Sequence, residues 1–580
     1  ERRRMFDLGG REAGWDRYNK DLISEGGGVF DRSAKTIPLS PQMQQMLDLE
    51  REEAPPDLVI HHILKMEVDL LWNGGIGTYV KASFESAADA DDRSNDEVRV
   101  NGDQLRCKIV GEGGNLGFTQ RGRIEADRYG VRLNTDAIDN SAGVDLSDHE
   151  VNLKILLSRV VEDGRLTEPQ RNELLESLTG EVAQLVLDNN NAHGRQLSRD
   201  QIRSKLDPFQ FEHAIAFVER TFRVRREQLD LPSAAELATR AEASEDLTRP
   251  ELAVLGAYIK MFVYRELMAG DPKAIPGYDS MLASYFPKAI QADYAEDIRH
   301  HMLADEIAMT VATTRMIADG GCALVPIMIE TTGASVPQIT TAFFKAQRIA
   351  RMAEVRSTLE ELRTSVSMTT LSESFVRIIE GARMVSLYWL SARGRVPTDE
   401  EVDRMVHAVD RYSELQAAEF ARQHRARIAA LHEDDIPERV ADLIVKAQTL
   451  NFALMAWASS ERTRDPLERS IIKLQAIGLG SGILPIVEQL AVRPAEGNWE
   501  PIALRILFIR YLQLLRTLLN QIDIAAPVES VDQLRPTLDS HLLRAVHHQI
   551  DDILIDDSPP SPATLLVLEE RIAAVLARMS

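Results

Sequence analysis

Within the first 150 positions the apolar residues come in short runs that end on glycine or asparagine. Val68-Asp69-Leu70-Leu71-Trp72 runs into Asn73-Gly74-Gly75-Ile76-Gly77, and Cys107-Lys108-Ile109-Val110 runs into Gly111-Glu112-Gly113-Gly114-Asn115. A third run opens at Gly130-Val131-Arg132-Leu133. Apolar runs this short, bounded by turn residues, predict strands. A helical spacing over Pro56 to Met66 precedes the first of them, and the polar stretch Ala87 to Asn95 predicts an exposed loop or helix start. Strand, helix and strand in alternation predict an α/β arrangement with a parallel sheet.

From Val151 onward the period shifts to that of helices, with no convincing strand. Helices are expected at Pro169 to Asp188, Asp200 to Leu229, Arg249 to Ala269, Ala304 to Ile317, Pro337 to Thr358, Ser372 to Ser391, Glu400 to Leu431, Glu438 to Ser459, Leu467 to Ile477 and Ile502 to Gln521. Ser335-Val336-Pro337-Gln338 has the form of a helix start, with Ser at the cap, an early Pro, and Gln three residues after the Ser. Asp556 to Pro562 reads as a linker to a last helix ending near Met579. No fixed-period repeat is visible.

A chain of 580 residues calls for two to four domains. The net charge of −23 argues against a general nucleic-acid or membrane-surface binder. The two cysteines, Cys107 and Cys322, provide no disulfide framework and no metal cluster, so a reducing cytoplasm is expected. The most apolar helix, Ile502 to Leu519, is interrupted by Arg505, Arg510 and Arg516, unlike a membrane span of about twenty apolar residues. The sequence starts Glu1-Arg2-Arg3-Arg4-Met5 with no apolar targeting stretch, and is expected to be a piece of a longer polypeptide.

The standard nucleotide fingerprints fail. After Gly75-Ile76-Gly77 the third glycine position holds Val80, after Gly111-Glu112-Gly113 it holds Leu116, and Gly74 to Ser83 does not fit a phosphate-binding P-loop. What remains are two glycine turns at strand ends. At Gly74 and Gly75, a close backbone approach to a ligand and a tight strand-to-helix turn both satisfy the spacing. The turn at Gly113 adds Asn115, whose amide donates and accepts, while Glu112 is either paired with a base or solvated. Ser147-Asp148-His149-Glu150 has the form of a capping box. A Ser147 at a helix N-terminus would still donate its proton to an anion. His149 is expected to be a first-turn surface residue. The pairs His61-His62 and His547-His548 lack the i, i+4 spacing of helical metal ligands, so no metal site is expected. The basic run Arg422 to Arg427 reads as a solvated helix face.

Four segments, Gly26 to Ser40, Val68 to Ser83, Lys108 to Glu125 and Arg132 to Leu157, together resemble the large bacterial NAD-dependent glutamate dehydrogenases. The helical remainder is similar to that family's C-terminal region, with weaker signatures. The resemblance implies oxidative deamination of L-glutamate to 2-oxoglutarate and ammonia, with NAD as cofactor. It also implies a cytoplasmic homo-oligomer, a tetramer or hexamer. The implied architecture is the C-terminal part of a Rossmann-like cofactor domain over 1–147, helices returning toward the catalytic core over 148–240, and an all-α domain over 241–580. Carried over residue by residue, Gly113 and Asn115 fall on a cofactor turn in which Gly114 stands where alanine is usual. Gly74 and Gly75 skirt the cofactor, and Asn73 replaces a proline common in small homologues. Asn140 would sit by the nicotinamide and the substrate amino end, Val144 would line the side-chain slot, and Ser147 would bond the γ-carboxylate. The family's catalytic lysine and aspartate have no match here, so no catalytic residue is named. The alternative is a helical fragment serving oligomerisation or regulation, inactive alone. A hydroxyl at Ser147 speaks against an apolar amino acid as substrate, because it would be left unpaired.

Overall fold

The structure, a computed structural model, describes residues 1–8, 14–492, 500–522, 531, 541–553 and 560–579. It is mostly helical, with three two-stranded sheets among the described residues. Strand β1 (Ile37–Pro38) pairs antiparallel with β2 (Glu53–Ala54). Strands β3 (Leu70–Asn73) and β6 (Ile109–Glu112) pair in parallel, as do β4 (Val80–Lys81) and β5 (Val100–Asn101). The third expected strand is reduced to a parallel bridge from Arg132 to Ile109, held by Val110 N to Arg132 O at 2.9 Å and Arg132 N to Lys108 O at 3.0 Å. There is less sheet than the α/β expectation called for.

The chain divides into two compact units, the first comprising 1–158, 167–194 and 248–254, the second 159–166, 195–247 and 255–580. In the first unit, Val80, Val98, Val100, Val110, Phe118, Ala126 and Leu133 form one small core beneath the parallel strands. Only one face of β3 and β6 is covered: Leu70, Trp72 and Ile109 are exposed while Val110 is buried, as the alternation of side chains along a strand requires.

In the second unit all described regular elements are helices. Several helices expected along the chain are interrupted. Asp200 to Leu229 stops at Leu206 and restarts at Pro208, because proline lacks the N–H and disfavours a helical residue before it. Asp207 caps the restart through Gln210 N at 3.3 Å. Pro337 to Thr358 divides at Arg351, whose left-handed φ of 51° ends one helix and starts the next. Glu400 to Leu431 divides into Asp399–Glu414 and Ala418–Glu433, and Pro169 to Asp188 into Glu168–Ser177 and Thr179–Leu206. The capping box at Ser335 is present, with Ser335 N donating to Gln338 Oε1 at 3.0 Å.

The apolar helix Glu500–Gln521 is an ordinary core helix. Tyr511, Leu515, Leu518 and Leu519 are buried in the cluster that also takes in Leu568 and Ile572, and Arg510 pairs with Glu569 at 2.9 Å. Among the described residues no helix is long and apolar enough to cross a membrane. Most of the expected linker, Asp556 to Pro559, lies outside the described residues, and the last helix runs Pro562–Met579.

Candidate functional site

Strands β3 and β6 end side by side, with Asn73 opposite Glu112 in the parallel register. This is the carboxyl edge where open α/β sheets place ligands. Asn73 ties the two glycine turns together. Its side-chain Oδ1 accepts from Gly75 N at 3.1 Å, and its carbonyl accepts from Gly113 N at 2.8 Å. The turns then meet backbone to backbone. A Cβ on Gly114 would lie 2.2 Å from the Gly75 Cα and 2.6 Å from its N, and Gly75 itself holds φ +86°. Gly74, by contrast, has nothing within 4 Å of a built Cβ, so its backbone is open to an approaching molecule. The half-exposed Trp72 ring covers the other turn, 2.4 Å from a Cβ built on Gly113.

Glu112 is paired, not solvated. It is buried, and it accepts two hydrogen bonds from Arg123, Nε to Oε1 at 2.7 Å and Nη2 to Oε2 at 2.9 Å. The fork-to-fork geometry is the strongest form of this pair. Asp136 lies 3.2 Å from the same guanidinium, and Asp139 accepts from Glu112 N at 3.0 Å. Asp136 also accepts from Leu116 N at 2.8 Å, and Asp139 from Asn134 Nδ2 at 2.7 Å. Burial pushes the Glu112 carboxyl up and the Arg123 bonds pull it back, while Arg123 is raised by the carboxylates around it. The network fixes the Gly113–Asn115 turn against the segment that leads into the next helix.

That helix begins at Ser141 and runs to Glu162, which corrects the capping box expected at Ser147. Ser147 is in the second turn of the helix, and Glu150 pairs with Lys154 at 2.5 Å instead. The helix starts earlier because a short turn, Asp136–Asp139, feeds it and a side chain from outside secures the junction. Asn190 Nδ2 donates to Ile138 O at 2.8 Å and to Ser141 Oγ at 3.0 Å. His149, expected on the surface, is buried at 1% exposure, with Nε2 3.6 Å from Asp145 Oδ1. Its pKa is lowered by burial, with Asp145 and Asp148 opposing.

The structure brings Asn140 to Asn115, Nδ2 to Oδ1 at 3.1 Å. Asn140 stands just before the first helical residue, where unpaired N–H groups and the helix dipole favour an anion or a carbonyl oxygen. Asn140, Val144 and Ser147 are spaced four and three apart, so they share one helix face. Val144 is 68% exposed and Ser147 is exposed too. The arrangement is an open amide pair at the strand ends, flanked by a helix face that offers one methyl-bearing side chain and one hydroxyl. Its amides and hydroxyl can donate and accept hydrogen bonds, and the adjoining carboxylates Glu112, Asp136 and Asp139 are already engaged by Arg123, Leu116 N and Glu112 N.

Sequence reasoning missed four supports of this site: Asn73 as the hub of both turns, Arg123, the Asp136–Asp139 pair, and Asn190. An Asp-rich turn before an Asn, as in Asp136-Ala137-Ile138-Asp139-Asn140, is itself a helix-start signal and marks the true start better than Ser147. Nothing local to Asn190 indicates its partners.

With this geometry in view, the comparisons are specific. Residues 1–200 match the family described as bacterial NAD-glutamate dehydrogenase, catalytic domain, and residues 244–535 match glutamate dehydrogenase, C-terminal. The strand-end turns and the amide pair lie within the first match. The chain belongs to the bacterial NAD-glutamate dehydrogenase family. It is 34% identical over 504 residues to an NAD-specific glutamate dehydrogenase of Halomonas elongata, and 34% identical over 513 residues to one of Pseudomonas aeruginosa. These alignments take in 86% and 87% of this chain and 31% of each relative. A third relative, the NAD-specific glutamate dehydrogenase of Mycobacterium tuberculosis, is 46% identical over 332 residues, 55% of this chain and 20% of its own length. The chain thus spans less than a third of the curated relatives it matches.

Proposed function

We propose that this chain supplies the cofactor-orienting and γ-carboxylate side of an NAD-dependent glutamate dehydrogenase. It would oxidise L-glutamate to 2-oxoglutarate and ammonia. The Asn115–Asn140 amide pair beside the open Gly74 backbone is the observation that carries the proposal. NAD, when bound, supplies the hydride acceptor. Its fit to this edge rests on the open backbone at Gly74, where no side chain intervenes, and on the amide donor and acceptor left at Asn115 and Asn140. Asn140 would orient the carboxamide and the substrate amino end, Val144 would line the aliphatic slot, and Ser147 would donate to the γ-carboxylate. Gly74, Gly75 and Gly113 would admit the cofactor backbone. The strand pair is the distal part of a Rossmann-like domain over 1–147, followed by connecting helices over 148–240 and an all-α domain over 241–580, in a cytoplasmic homo-oligomer.

In a full-length enzyme carrying this sequence, Ser147→Val is expected to raise the KM for glutamate about ten- to a hundred-fold, the worth of one hydrogen bond to a charged group. Steady-state kinetics with glutamate varied at saturating NAD measures it, and an unchanged KM removes Ser147 from the substrate site.

General acid–base chemistry needs a group within hydrogen-bond reach of the moving proton, and the resemblance assigns that role to no residue of the matched motifs. The 580-residue chain purified alone is therefore expected to produce no NADH from glutamate, followed at 340 nm. Turnover close to that of a full-length relative would mean that a proton-transfer group has been overlooked here. The second reading is an assembly or regulatory role for the helical unit, which has an extensive apolar core of its own. Light scattering that returns a monomer for this chain would count against it.

A further inference from the structure

In the helical unit, basic side chains from three helices converge on one carboxylate. Asp319, at the end of the Ala304–Gly320 helix, is 8% exposed. Arg356, from Met352–Glu361, donates to Asp319 Oδ2 at 2.6 Å and to Gln347 Oε1 at 2.5 Å. Arg199, from Thr179–Leu206, lies 3.8 Å from Asp319, donates to the Ala318 carbonyl at 3.0 Å, and stacks on the Phe375 ring 3.3 Å from its centroid. Arg315, on the helix of Asp319 itself, is within electrostatic reach of Asp319 and Arg356 and donates to Ser284 Oγ at 3.0 Å. Nearby Arg203 is matched by the buried Asp200 at 2.9 Å, and Arg195 reaches Glu360 only at 3.9 Å.

Arg199 and Arg356 therefore share a single carboxylate, with the Arg315 guanidinium within its electrostatic reach. The carbonyl end of the Ala304–Gly320 helix adds about half a negative charge, which leaves the group cationic by between one and two charges. Two donors add to this: Arg199 Nε and Gln347 Nε2 are buried and have no hydrogen-bond partner. A buried donor without a partner costs roughly 1–3 kcal/mol, so a ligand oxygen there is favoured. Arg315 and Arg356 are exposed, which leaves the cluster open to solvent on one side. Burial lowers Arg199, and Arg203, Arg195 and Arg356 push it the same way. Partial desolvation of its guanidinium also lowers Arg315, and Arg356 adds to the effect.

We propose that Arg199, Arg315, Arg356 and Gln347 form a binding site for a phosphate dianion, either free or as the terminal group of a nucleotide. Guanidinium forks match phosphate oxygens two at a time, and a dianion neutralises the excess charge. The chain as a whole carries −23 and repels anions in general, so a saturable phosphate site has to be local.

Calorimetric titration of the intact chain with inorganic phosphate, tripolyphosphate, ATP and glutarate tests this. One saturable phosphate site per chain is expected, weakened at least ten-fold in the Arg315→Ala/Arg356→Ala double variant with an unchanged circular-dichroism spectrum. Should the double variant fold poorly, Arg315→Ala alone is expected to weaken binding several-fold. ATP binding more tightly than tripolyphosphate assigns the site to a nucleotide, and equal binding assigns it to the phosphate group alone. Absence of saturable phosphate binding, unchanged affinity in the variants, or a preference for glutarate overturns the proposal.

Discussion

Arg123→Met is expected to destabilise the first unit by about 3–5 kcal/mol, the cost of breaking a buried ion pair by removing one partner. Glu112 is 1% exposed and owes both its charged-group hydrogen bonds to Arg123. With the guanidinium gone, Glu112 is left beside Asp136 and Asp139 with no cation in the pair. Hydrogen exchange across Leu70–Asn73 and Ile109–Glu112 measures the loss locally, without requiring the whole chain to unfold in one step. The pH dependence has a definite sign. Burial raises the Glu112 carboxyl, so in the variant the folded state binds its proton more tightly than the unfolded state does. Stability then falls as pH rises from the unfolded value through the folded one, and the deficit shrinks on acidification toward pH ~4.5. Glu112→Gln combined with Arg123→Met is expected to recover a large part of the loss, because no buried charge remains. A double variant as unstable as Arg123→Met would show that Arg123 acts through packing alone.

Gly114→Ala is expected to force the two glycine turns apart. The new Cβ would sit 2.2 Å from the Gly75 Cα, and backbone at that distance cannot rotate out of the way as a side chain would. Overpacking of this kind costs about 1–3 kcal/mol. Under the proposed function, the shifted turn in a full-length enzyme is also expected to weaken NAD binding, by about ten-fold for each 1.4 kcal/mol of lost contact. Gly74→Ala is the internal control. Its Cβ meets nothing within 4 Å, so a stability change within about 0.5 kcal/mol is expected. Thermal melting of both variants decides the matter. Equal melting points would mean that the close approach of Gly75 and Gly114 is not maintained.

Much of the site was legible because its signals are local. Apolar runs ending in glycine predicted the carboxyl ends of β3 and β6, and the two ends are indeed adjacent in the parallel register. The helical period after Val151 predicted a region whose described regular elements are all helices. Helix breaks were harder to place, since the left-handed turn at Arg351 uses a residue with no turn preference. The start of the Ser141–Glu162 helix was misplaced because Ser147 and Glu150 satisfy a capping pattern that competes with the Asp136–Asn140 turn. A pattern of four residues cannot register that Asn190, fifty positions on, supplies hydrogen bonds to Ile138 and Ser141.

By itself the sequence determined the family, the glycine turns and the identity of the residues presented at the strand ends, because backbone conformation and periodicity depend on neighbours a few positions apart. Tertiary structure alone decided that Asn115 meets Asn140, that Glu112 is neutralised by Arg123, that His149 turns inward, and that Arg199 and Arg356 share Asp319. Each of these depends on which charges and amides are desolvated together. Electrostatic and hydrogen-bond energies follow distance and burial in space, and a linear order of residues does not contain either.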